Sequence, residues 1–319
     1  MRTSHLTIRK RVLEEKSKIT DEEFFTSKEY CAYLTDLTEA STKKYGRPLK
    51  VIVYADPNDP TVAYIDPRGI FINACNHITW SMPSRYLRSL SIEGLNAHEN
   101  GHDLFTDNRI ARAYFNKLLL GKYYPKKPTG LRADLKVYAK EILEAMLDET
   151  DEVPKTVIVS TAKALSNILE DGYVDARSSY EFPGTPARGI ALNNLRFAET
   201  VPDIETMINK KFYDHNIVLN LLIQYVRARE VNNLSGYSGE ILEKFMSYIP
   251  LVDSCIFDED ARARFEAVNQ IMIDLWPMMQ QTSRYIETWE LTYGPKLVRE
   301  AQQIIAAQQR AAADEDLPA

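Results

Sequence analysis

One short block of β-type patterning in a chain that is otherwise helical limits the folds open to this sequence of 319 residues. Val51-Ile52-Val53-Tyr54, Thr61-Val62-Ala63-Tyr64-Ile65 and Ile70-Phe71-Ile72-Asn73 are β-branched and aromatic runs, separated by Asp56-Pro57-Asn58-Asp59-Pro60 and Asp66-Pro67-Arg68-Gly69. They predict a small, mainly antiparallel sheet. Before them, Thr20-Asp21-Glu22-Glu23 forms a capping box, and Phe24, Tyr30, Leu34, Leu37 and Ala40 follow at near-helical spacing until Gly46-Arg47-Pro48 stops the helix. After them the period stays helical. Helices are expected over 85–107, 109–120, 132–149, 155–180, 188–199, 214–230, 236–249, 258–284 and 296–313, with Pro277 kinking one and Gly294-Pro295 setting off the last. The fold class is therefore α+β, a small sheet followed by a large all-helical lobe. The expected divisions are an N-terminal α/β part over 1–130, a helical part over 131–313 and a flexible tail over 314–319, which is either a natural end or a linker.

Composition excludes several classes. Hydrophobic residues make up 45% and charged residues 26%, as in ordinary globular proteins. A net charge of −6, with basic residues spread throughout, gives no footprint for nucleic acid. No apolar run approaches the roughly 20 residues needed to span a bilayer, and the first ten residues lack the apolar core of a signal peptide. Cys31, Cys75 and Cys255 are widely separated and have no C-x-x-C spacing, so reduced thiols in a cytoplasmic compartment are expected.

Within the expected 85–107 helix, His98-Glu99-Asn100-Gly101-His102 spells H-E-x-x-H. Two imidazoles four residues apart on a helix lie about 40° apart in azimuth and about 6 Å apart along the axis. Both rings can therefore converge on one tetrahedral metal ion, leaving the intervening carboxylate to act on water. Projection of the helix groups His98, Glu99 and His102 with Leu87, Leu95 and Phe105, and leaves Glu93, Asn96 and Asn100 outside that arc. Polar groups on an apolar face need partners, since burying them alone costs several kcal/mol. A metal ion with its water would satisfy all three. Gly101 either admits a close backbone neighbour or is incidental.

A small sheet, then a helix bearing H-E-x-x-H, then a helical lobe resembles the zincin metallopeptidases. No further histidine follows at metzincin spacing, so the resemblance is to the gluzincin branch, in which a glutamate on a later helix is the third ligand. Asn167-Ile168-Leu169-Glu170-Asp171-Gly172 lies on such a helix. H-E-x-G-H-x-L-F-T-D and N-x-L-E-D-G together are similar to a group of bacterial and phage metallopeptidases, some of them joined to a von Willebrand A-like domain. No D-x-S-x-S signature of that domain occurs here. The resemblance spans about residues 50–180. It implies Zn²⁺ held by His98, His102 and Glu170, with Glu99 as general base and a peptide or protein as substrate. There is no Asn-Glu-x-x-Ser-Asp around Glu170; Asp171 and Asp175 either orient a ligand imidazole or are solvated helix residues.

The function expected on these grounds is zinc-dependent peptide hydrolysis, with no nucleic-acid or membrane partner. Ile70–Asn73 would be either an edge strand that receives the peptide or an inner strand. No oxyanion stabiliser stands out among Tyr173, Arg177, His77 and His215. The alternatives are a metal-binding sensor or adaptor without proteolysis and a partner-binding module whose motif is a relic.

Overall fold

The capping box at Thr20 is formed in both directions: Thr20 Oγ1 accepts from Glu23 N–H at 3.1 Å, and Glu23 Oε2 accepts from Thr20 N–H at 2.9 Å. It opens a short helix, α1 (Asp21–Phe25), which leads into α2 (Lys28–Thr42). The computed structural model describes residues 18–43 and 49–293. The expected stop at Gly46-Arg47-Pro48, the helix over 296–313 and the acidic tail lie outside them.

Three strands follow: β1 (Lys50–Tyr54), β2 (Ala63–Asp66) and β3 (Gly69–Asn73), in the order β1-β3-β2. β1 runs parallel to β3, pairing Val51 with Ile70 and Val53 with Ile72, whereas β2 is antiparallel to it. The sheet is therefore mixed rather than mainly antiparallel. Ile70–Asn73 is the central strand and no edge, which removes it as a site for adding a peptide strand. Its burial explains the pattern, since Ile70 and Ile72 are fully buried and both neighbours occupy the backbone groups. Gly69 is required where β3 starts: at φ +153°, a Cβ there would sit 2.2 Å from the Lys50 carbonyl oxygen.

The remaining elements are α3 (His77–Trp80), α4 (Arg85–Phe105), α5 (Asn108–Leu119), α6 (Ala133–Leu147), α7 (Glu152–Glu181), α8 (Thr185–Thr200), α9 (Ile204–Asn209), α10 (Asp214–Ala228), α11 (Glu240–Ile256) and α12 (Ala261–Tyr293). The α+β class with a large helical part holds. α12 runs through Pro277 and α11 through Pro250. No described helix is long and apolar enough to cross a membrane. All three cysteines are free.

The chain forms two compact units, and their limits differ from a single cut at residue 130. One takes in Met1–Leu104 and Ser178–Asn193; the other takes in Phe105–Arg177 and Asn194–Ala319. Each unit has its own core. In the first, Phe25, Leu34, Val51, Ile70, Ile72 and Ile92 pack together. In the second, the core includes Leu165, Leu169, Leu222, Phe245, Met272 and Trp276.

Candidate metal centre

α4 is held in the first unit by polar contacts along its length. Asp21 accepts from Arg88 Nη1 at 2.7 Å and also pairs with Arg85. Ser91 Oγ donates to Asn193 Oδ1 at 2.6 Å, and Asn193 Nδ2 donates to the Ser91 carbonyl at 2.9 Å. One turn on, a Cβ on Gly94 would meet the Gly189 carbonyl carbon at 2.2 Å, so the two helix backbones touch there. Asn96 Nδ2 donates to Thr38 Oγ1 at 3.1 Å.

Burial along α4 departs from the projected arc. Glu93, Asn96 and Asn100 are buried although the projection leaves them outside it, and His98 and His102 are only half-buried. The cause is tertiary: α2 and α8 cover the flanks of α4, whereas a projection knows only one apolar side. Burial holds the Glu93 carboxyl above its usual range. Glu99 is buried at 8% exposure, immediately after the first histidine.

The two motif histidines meet. Their Nε2 atoms are 3.3 Å apart, with ring centroids separated by 4.9 Å and ring planes nearly perpendicular at 86°. Tetrahedral ligands on zinc–nitrogen bonds of about 2.0–2.1 Å would be separated by about 3.3 Å. The spacing of these donors therefore fits such an ion.

In the second unit, Glu170 does something the sequence does not announce. Its Oε2 accepts from Arg264 Nε at 2.7 Å, and Arg264 is almost fully buried, donates from Nη1 to the Asp258 carbonyl and lies 3.9 Å over the Tyr173 ring. The carboxylate expected to bind metal is thus the counter-ion of a buried guanidinium. Arg264 is the residue that sequence reading missed; no local pattern ties it to a glutamate 94 positions away. Asp171 Oδ2 accepts from Arg227 Nη2 at 2.9 Å, a pair with about one-fifth of each side chain exposed. Arg227 also donates to Asn194 Oδ1, and Asn194 in turn donates to Asp175 at 2.8 Å. Arg177 pairs with Glu259 and lies 6.0 Å over the Phe105 ring, so it and Tyr173 have evident packing roles.

No protein-family model matches the chain, and no curated protein or solved structure matches it either.

Proposed function

We propose that this chain is a zinc-dependent peptidase of zincin type, in which His98 and His102 hold the ion and Glu99 moves protons. The observation that carries this reading is the 3.3 Å separation of the two imidazole nitrogens on one helix, with a buried carboxylate between them in sequence. Imidazole and carboxylate donors suit zinc. When bound, zinc lowers the pKa of a coordinated water and polarises a carbonyl. Glu99 accepts the proton from the attacking water and delivers it to the leaving amine.

The third ligand expected from the sequence, Glu170, is already engaged as the counter-ion of Arg264. Freeing Glu170 would strand the Arg264 guanidinium, a loss of about 3–5 kcal/mol for a broken buried pair.

Elemental analysis of protein purified without chelator should give one zinc per chain, and His98→Ala or His102→Ala should remove it. Glu99→Gln should keep zinc and fold while lowering hydrolysis of a peptide library by about 10²- to 10⁴-fold. A wild-type protein that stays metal-free after zinc reconstitution would end the reading. Stoichiometric zinc without cleavage of any library member would leave a metal-binding protein and exclude the peptidase.

A further inference from the structure

A second site lies wholly inside the second unit, in a cavity of about 680 Å³ bounded by α7, α10, α12 and the segment that leads into α10. Its walls mix apolar and aromatic groups: Val157, Leu219 and Ile286 provide aliphatic surface, and Phe212, Tyr213 and Tyr285 provide rings. Tyr213 and Tyr285 meet edge to face with centroids 5.8 Å apart. A slot of this make-up and size takes one small molecule with a flat apolar body.

The charged residues that line it are basic. Lys210 and Lys211 line the cavity and are exposed, and no aspartate or glutamate is among the lining residues. Asp214, the first residue of α10, and Glu287 are chain neighbours of lining residues but do not line it themselves. The positive end of α10 adds to this. Its N-cap, Tyr213, makes no side-chain cap, and Tyr213, His215 and Asn216 of the first turn all line the space. Uncapped N–H groups at a helix start favour an anion.

A separate observation points to a ligand as well. Thr161 is 2% exposed and lines the cavity, yet its hydroxyl has no hydrogen-bond partner. A helical threonine ordinarily bonds the carbonyl four residues back, but here Ser160 Oγ donates to Val157 O at 3.0 Å. The buried His215 is held through Nδ1 by Thr282 Oγ1 at 3.0 Å and fixes the inner wall.

We propose that this cavity binds a small hydroxylated aromatic carboxylate, its carboxylate at Lys210, Lys211 and the start of α10 and its ring against the wall formed by Phe212, Tyr213 and Tyr285. The Thr161 hydroxyl then has a polar partner on the ring. The site is independent of the histidine pair.

Calorimetric titration of the full chain with 4-hydroxyphenylacetate tests this. Saturable one-to-one binding is expected, with 4-hydroxyphenylacetamide at least about tenfold weaker. The double change Lys210→Gln and Lys211→Gln should weaken the acid about tenfold and leave the amide unchanged. Ala164→Trp, which fills the space, should abolish binding while circular dichroism shows a folded chain. Equal affinity for acid and amide would overturn the proposal. So would acid binding that survives Ala164→Trp, or no saturable binding of the acid up to about 10 mM. If Ala164→Trp fails to fold, the lysine changes alone decide.

Discussion

Glu170 and Asp171 are adjacent carboxylates on α7, and one helical step gives them different electrostatic tasks. Glu170 neutralises a buried guanidinium and Asp171 pairs with one that is about one-fifth exposed. Glu170→Ala should therefore destabilise the protein by about 3–5 kcal/mol in urea unfolding, with zinc affinity altered only modestly. Asp171→Ala should cost less stability, since its pair with Arg227 is the more exposed of the two. Loss of zinc with unchanged stability in Glu170→Ala would instead support the ligand role of Glu170. His215 allows a separate test of burial. Desolvation pushes its pKa down to about 4, so the folded protein keeps it neutral, whereas the unfolded chain protonates near pH 6.5. The unfolded state then binds more protons between these values, and stability falls as pH falls through that window, by about 2 kcal/mol between pH 7 and 5. Urea unfolding of His215→Gln should show a flatter pH dependence; an identical slope would mean that the imidazole titrates normally.

At the scale of elements, what was legible depended on how local the cause is. The α1 start is written in Thr20 and Glu23, three residues apart, and the convergence of the two imidazoles on α4 is written in the spacing of His98 and His102. α3 and α9 were not legible, since one or two turns carry no period. The central place of β3 was not legible either, because a strand buried by neighbours on both edges has the same side-chain pattern as a half-covered one. The pairing of Glu170 with Arg264 was not legible for a related reason: only the tertiary arrangement brings the two together. The crossing of α4 and α8 is the element-level feature with the sharpest consequence. A Cβ on Gly94 would lie 2.2 Å from the Gly189 carbonyl carbon, and one on Gly189 would lie 2.4 Å from the Leu90 carbonyl oxygen. Both obstacles are backbone, which cannot rotate away. Gly94→Ala should cost about 1–3 kcal/mol or more by forcing the helices apart. Gly184→Ala, whose Cβ meets nothing closer than 3.9 Å, should be nearly neutral in the same thermal melts. Equal melting temperatures for the two variants would refute the close crossing.

For the whole molecule, sequence order and compactness disagree. Patterning alone suggests that an N-terminal part ends near residue 130, yet the first unit recruits Ser178–Asn193 from far along the chain. That stretch supplies the Asn193 amide, which occupies both the hydroxyl and the carbonyl of Ser91. It also supplies Gly189, against which Gly94 packs. Without it, Ser91 would lose two hydrogen bonds, each worth about 1 kcal/mol net, and the α4 backbone at Gly94 would lose its closest neighbour. Loss of that packing should also loosen the turn that carries His98 and His102. A fragment of residues 1–130 should therefore lack a cooperative urea transition and dispersed amide resonances. Joining residues 178–193 to it through a flexible linker should restore part of both. A fragment 1–130 that unfolds cooperatively on its own would show that the later stretch decorates this unit without helping to build it.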